Sequence, residues 1–231
     1  MTLYIVATPI GNLEDITLRA VRILKEVDLI VCEDTRHTRK LLTHFDIHTP
    51  LASFFEHKEE SKLNPLLAKL VEGKNLALVS DAGTPGISDP GFRLIRAAVA
   101  KQIPVVPLPG ACAAITALQG SGFPTDHFFF AGFLPEKPGK RQKYIESLKT
   151  FPHTIIFYLS PWKAAKQLQE LSQILGERQV CMAREITKIH EEFWRGSLIE
   201  LTEKICAKPP KGEITLIVSG MALEIVLENE E

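Results

Sequence analysis

The chain has 231 residues, with 27 Lys and Arg against 28 Asp and Glu, for a formal net charge of −1. Hydrophobic residues make up 45% and charged residues 24%. These ordinary globular values exclude intrinsic disorder, a collagen-like repeat and a histone-like grip on nucleic acid by bulk positive charge. No apolar run approaches the ~18 residues of a transmembrane helix. The N-terminus, Met1 to Thr8, has no basic n-region or long apolar core, so a first β-strand is expected there rather than a signal peptide. The four cysteines, Cys32, Cys112, Cys181 and Cys206, are far apart in apolar contexts without ligand spacing. Buried thiols in a reducing cytoplasm are the expectation, with no metal site.

In chain order, Leu3 to Ala7, Leu29 to Cys32, Leu76 to Val79 and Val105 to Leu108 are short apolar runs bounded by turn residues, as in buried parallel strands. A helix is expected after Asp15 and Thr17, with Ala20, Val21, Leu24 and Val27 inward. Another is expected over 89–102, with Asp89 as N-cap, Pro90 at the first helical position, and Leu94, Ile95, Ala98 and Val99 as its apolar face. Prolines and glycines crowd 104–124, around a short helix from about Ala111 to Gly120. The second half carries strand patterns at 127–133, 154–159, 179–184, 190–195 and 213–219, and helical ones at 139–149, 161–175 and 197–207. The 179–184 and 190–195 strands are close enough for a hairpin, hence a mixed sheet. The expected architecture is two α/β domains, 1–115 with a largely parallel sheet and 116–231 with a mixed one. An acidic tail after Gly220 is expected as a frayed helix.

The polar residues gather where the first four strands end, which is where open α/β sheets bind ligands. The four strand ends are Thr8-Pro9-Ile10-Gly11-Asn12, Glu33-Asp34-Thr35-Arg36-His37-Thr38, Ser80 to Gly91, and Pro109-Gly110-Ala111-Cys112-Ala113. Any one of these is an ordinary turn; together they favour a ligand site. Within 80–91, Gly83, Gly86 and Gly91 allow close backbone approach, and Asp81 offers a carboxylate to a hydroxyl or ammonium group. Walker A and G-x-G-x-x-G motifs are absent, which disfavours a phosphate-cradling nucleotide site. The cluster Glu33 to Thr38 has two readings of equal weight. One is a group that orients and deprotonates a substrate hydroxyl; the other is a helix N-terminus capped by Asp34 or Thr35 with Arg36 and His37 solvated.

The blocks Leu3 to Thr17, Glu33 to Thr38, Ser80 to Pro85, Pro107 to Gly110, Gly132-Phe133-Leu134-Pro135, Arg184 to Lys188 and Lys211-Gly212-Glu213 together resemble the ribosomal RNA small-subunit methyltransferase I family, on the tetrapyrrole-methylase fold. The resemblance runs from about residue 3 to 219. It implies two α/β domains with S-adenosylmethionine in the interdomain cleft, and methylation of the ribose 2′-hydroxyl of a decoding-centre cytidine in 16S rRNA. It also implies the small ribosomal subunit as partner, a homodimer and a cytoplasmic location. Carried over by position, the cofactor contacts are Pro9, Asp81, Gly83, Thr84, Ile87, Cys112 and Ala113, then Tyr158, Ala183 and Ile214 through backbone atoms.

On this resemblance Glu33 or Asp34 orients or takes the hydroxyl proton, with His37 as competitor. Two basic stretches are expected to meet RNA phosphates: Arg36, His37, Arg39 and Lys40, and then Lys137, Lys140, Arg141 and Lys143, the second with a solvated helix face as its competing reading. The chain departs from the family at Tyr158-Leu159-Ser160-Pro161-Trp162-Lys163, where relatives often carry Tyr-Glu-Ser-x-His-Arg, and it ends soon after its last strand where longer relatives carry a helical segment. Two other functions are compatible with the residues. A tetrapyrrole C- or N-methyltransferase would need an apolar macrocycle pocket. A non-catalytic, cofactor-binding ribosome-assembly factor would need no reactive group. The basic loop Arg36 to Lys40 favours a polyanion over the first.

Overall fold

The first strand, β1 (Thr2–Val6), lies between β4 (Asn75–Val79) and β5 (Val105–Leu108), with β2 (Leu29–Cys32) and β3 (Leu51–Ser53) beyond β4. All four pairings are parallel, in the order β3-β2-β4-β1-β5. The central strands are uniform apolar runs because both sheet faces are covered. On one face Leu3, Ile5, Leu76 and Leu78 pack with Leu66 and Leu70 of α3 (Glu59–Val71) and with Leu94 and Ala98 of α4 (Phe92–Ala100). On the other, Val6, Ala77 and Ile30 pack with Ala20, Ile23 and Leu24 of α1 (Leu18–Glu26) and with Leu42 of α2 (Thr35–His44). The computed structural model describes residues 1–54 and 59–221.

The first helix follows its sequence signals, with the Thr17 side chain accepting from Ala20 N at 3.0 Å. The 89–102 helix is shorter than expected. It starts at Phe92 with Gly91, at φ 130°, in the cap position and no side-chain cap bond, so Asp89 and Pro90 belong to the loop. A Cβ at Gly91 would come 2.7 Å from Leu78 Cδ2, so the turn is pressed onto β4. Leu94 and Ala98 carry the buried face, whereas Val99 is 60% exposed rather than inward. The β3 and α3 elements carry no clear sequence signal. The strand is three residues long and Pro65 lies inside the helix, where a proline ordinarily argues against one.

The chain divides into two compact units at Cys112/Ala113. A boundary at 115/116 would cut α5 (Ala113–Ser121), which stays whole in the second unit. There a mixed sheet has the order β6-β7-β10-β8-β9, formed by Phe128–Phe133, Thr154–Leu159, Ile214–Val218, Gln179–Arg184 and Glu192–Ser197. Only β6 and β7 run parallel, and β8 and β9 form the expected hairpin. One face packs on α6 (Pro138–Ser147), α7 (Ala164–Leu175) and α8 (Leu198–Ala207) through Ile155, Phe157, Leu216 and Met182. Ser197 ends β9 and caps α8 in a reciprocal box with Glu200.

Cys32 and Cys181 are buried and Cys112 is half-buried; Cys206, expected inside, is exposed on α8. Residues 222–231, most of the expected frayed tail, lie outside the described residues. Among the described residues no helix is long and apolar enough to cross a membrane.

Candidate functional site

The strand-end loops of the first unit are knitted together by the third. Thr8 and Gly83 exchange backbone hydrogen bonds of 2.9 and 3.0 Å. The Thr8 hydroxyl donates to Ser80 O at 3.1 Å, and the Ser80 hydroxyl to Gly83 O at 3.0 Å. Asp81 Oδ1 accepts from Asp34 N at 3.2 Å, and the Thr84 hydroxyl donates to Ala111 O at 2.9 Å. The 80–91 loop thereby touches the loops after β1, β2 and β5. Pro9 and Gly83 are buried in this knot; Asp81, Thr84 and Cys112 are half-buried beside it, and Ile87 is exposed. Gly110 is held against β1, since a Cβ there would sit 2.7 Å from Ala7 Cβ. Thr8, Ser80 and Gly110 lie in the strand-end loops marked by the sequence, but their site-building roles come from these contacts, because small residues in turns carry no individual signal.

Loop after β2 separates its acids. Asp34 is the N-cap of α2, its Oδ1 accepting from Arg36 N at 2.8 Å, and its carboxylate also pairs with the Arg36 guanidinium. The Arg36 hydrogen bonds hold the Asp34 carboxyl well below the usual carboxylate range. A carboxylate so stabilised is a weak proton acceptor, so for Asp34 the cap is the role the geometry supports. Glu33, half-buried at the end of β2, is not the cap. His37 is exposed one residue beyond Arg36.

In the second unit Tyr158 and Ala183 are both register partners of Thr215, and so share the sheet face that α5 covers. The Tyr158 hydroxyl accepts from Ala114 N at 3.2 Å, satisfying a free N–H of the first turn of α5. Ile214 does not join them. Its side chain lies on the opposite face, in the core beneath α6, α7 and α8, which leaves only its backbone for a ligand. Ala113 opens α5.

A bulge in β6, between Phe130 and Gly132 and with Gly132 at φ 63°, shifts the alternation by one residue. Phe130 and Phe133 consequently both reach Tyr158, with ring centroids 5.1 and 5.5 Å away. The two C-terminal blocks also meet. Glu185 N donates to Glu213 O, Glu185 Oε1 accepts from Glu213 N at 2.9 Å, and Lys188 Nζ donates to both carboxylates. A side chain at Gly212 would collide with Glu185. Lys188 and the Glu213 N–H hold the Glu185 carboxyl below its ordinary value.

The two basic stretches differ in kind. Arg36, Arg39 and Lys40 are exposed on α2, and Lys140 is exposed on α6. Arg141 is a correction to the expected RNA contact: it is 5% exposed, paired with Glu170 of α7, and donates to Pro135 O and Glu136 O at 3.0 and 2.8 Å. Its guanidinium is spent on holding the 132–136 turn. Among the described residues no three His, Cys, Asp or Glu side chains are grouped to hold a metal ion.

The chain matches the model of the tetrapyrrole (corrin/porphyrin) methylases over residues 2–202. It is 52% identical over 219 residues to a ribosomal RNA small subunit methyltransferase I of Halalkalibacterium halodurans, covering 95% of this chain and 76% of the relative. To the protein of that name from Synechocystis it is 51% identical over 223 residues, covering 96% and 80%. Among solved structures, the cobalt precorrin-4 methyltransferase of cobalamin biosynthesis superposes with a TM-score of 0.68 at 18% identity, over 95% of this chain and 94% of that one. The uroporphyrin-III C-methyltransferase of Thermus thermophilus, complexed with S-adenosylhomocysteine, gives 0.66 at 18%, over 96% and 98%. At that identity the superpositions speak for the fold. The all-parallel first sheet and the mixed second sheet are thus those of a known architecture, and the chain belongs to the tetrapyrrole methylase family, among its ribosomal RNA small subunit methyltransferase I members.

Proposed function

We propose that this protein is an S-adenosylmethionine-dependent methyltransferase acting on the ribose 2′-hydroxyl of a cytidine in the decoding centre of 16S rRNA. The observation that carries the reading is identity of about one residue in two, along nearly the whole chain, to relatives named for methylation of small-subunit ribosomal RNA. The assembled small subunit is the substrate form, the enzyme is cytoplasmic and homodimeric, and no metal takes part.

The loop knot of the first unit suits a cofactor that offers few phosphate-like charges. It presents backbone groups at Pro9, Gly83 and Cys112, the Thr84 side chain, the apolar Ile87, and one carboxylate, Asp81, for a hydroxyl or ammonium group. In the second unit Tyr158, Ala183 and the backbones of Ala113 and Ile214 are the candidate contacts. Bound S-adenosylmethionine supplies a methyl group on a sulfonium that leaves as a neutral thioether. The protein must align the ribose hydroxyl with that methyl group and take its proton. Glu33 serves as the acceptor, because Asp34 is committed to Arg36 and to the α2 N-terminus. His37 is the competing base. Arg39, Lys40 and Lys140 neutralise RNA phosphates, while Arg36 divides its charge between Asp34 and solvent.

The test is tritiated S-adenosylmethionine with undermethylated small subunits, followed by mapping of ribose methylation. Label at one cytidine 2′-oxygen supports the reading. Transfer to a porphyrinoid offered in parallel, or cofactor binding without transfer, overturns it.

A further inference from the structure

Two large aromatic side chains of the second unit stand in solvent beside an excess of lysines. Phe133 ends β6 at 58% exposed, and Trp162, in the turn after β7, is 94% exposed. Burying a ring of that size is ordinarily among the larger gains of folding. The two turns are fastened together: Lys163 Nζ contacts both carboxylate oxygens of Glu136, at 2.6 and 2.8 Å. Arg141 fixes the Phe133 side of this pair from beneath through Pro135 O and Glu136 O. The Phe133 ring lies tilted against the Tyr158 ring, with centroids 5.5 Å apart.

The charge around the rings runs against ordinary helix chemistry. Lys137 and Lys163 occupy the N-cap positions of α6 and α7, neither makes a side-chain cap bond, and neither first turn holds an acid. A helix start favours carboxylates and disfavours cations. Here Lys137, Lys140, Lys163 and Lys166 are all exposed, and Lys163 is paired with the exposed Glu136. Local rules broken without a stabilising return are where function is expected. Exposed rings flanked by cations match one polymer, a single-stranded nucleic acid, whose bases stack on the rings while its phosphates meet the lysines.

We infer that Phe133 and Trp162 form a base-stacking platform, flanked by Lys137 and Lys140, that holds an unpaired stretch of the substrate RNA. The inference rests on the rRNA-methyltransferase reading for its substrate. It gives Trp162, which stands where the family pattern has His, a role in gripping RNA.

The test uses the full chain carrying Trp194→Phe, which leaves Trp162 as the sole tryptophan. Unpaired oligoadenylate should quench Trp162 fluorescence, and a duplex of equal length should not. Trp162→Ala should weaken oligoadenylate binding and raise KM for small subunits about 10-fold, with Trp162→Phe restoring most of the loss. The effect should fall on KM rather than kcat, with the thermal midpoint unmoved because the ring is exposed. Oligoadenylate binding and KM within about twofold of the parent in both Trp162→Ala and Phe133→Leu would overturn the platform. If methylation of small subunits persists in that case, the functional reading stands alone. If oligoadenylate quenches Trp162 but no ribose is methylated, the platform stands and the functional reading falls.

Discussion

Thr8 and Gly83, in the loops that follow β1 and β4, exchange both backbone hydrogen bonds, and this two-way bridge sets the distance between the segments that carry Pro9 and Thr84. Gly83 holds the bridge at φ 84°, and a Cβ there would lie 3.3 Å from Ile10 Cγ2. Gly83→Ala therefore brings left-handed strain of about 1–3 kcal/mol. The expected result is a lower thermal midpoint and a Kd for S-adenosylmethionine raised about tenfold or more, measured by calorimetry on the same preparation.

Asp34 and Glu33 are adjacent acids with different assignments. Asp34→Asn should retain both stability and methyl transfer, since Asn caps a helix as well as Asp does; Asp34→Ala should lower the thermal midpoint. Glu33→Gln should bind cofactor normally yet lose about 100-fold or more in kcat. Full activity in Glu33→Gln, read by tritium transfer, would remove Glu33 from the chemistry and leave His37 or solvent as the acceptor.

Arg141 is a test of structure rather than of RNA binding. Arg141→Met leaves Glu170 without its partner and the 132–136 turn without its clamp, a loss on the order of 3 kcal/mol in urea unfolding. The Arg141 guanidinium holds Glu170 below its ordinary value. A depressed folded-state pKa contributes stability above the unfolded value of about 4.3, which is lost as pH falls through the folded value. The parent protein should thus lose stability in that acid window more steeply than Arg141→Met.

The cysteines differ in reach. Burial raises the Cys181 thiol above its ordinary pKa, whereas Cys206 is exposed on α8. Iodoacetamide at neutral pH should label Cys206 first and leave Cys181 unmodified in the native state, as read by peptide mass. Labelling of Cys181 at the rate of Cys206 would contradict the buried position of β8.

Much of this molecule is legible in local patterns. Apolar runs such as Leu76 to Val79 mark strands covered on both faces, and Thr17 and Ser197 mark helix starts, because burial and capping act over one or two turns of chain. The polar strand ends likewise place the candidate site. What local pattern cannot carry is the partner of a side chain. Asp34 and Asp81 are 47 residues apart, and Arg141 and Glu170 are 29 apart. Only the path of the chain sets Asp34 N against the Asp81 carboxylate, or turns an expected phosphate contact into a buried clamp. Ile214 and Phe133 make the same point for direction: a strand position assigns a side chain to a face only once pairing and bulges are known. The sequence by itself determined the α/β class, the strand-end loops and the family resemblance, since these rest on short-range periodicity and contiguous blocks. The tertiary structure decided which charges are free to meet a ligand, because a charge is spent or available according to what the fold brings within about 3 Å of it.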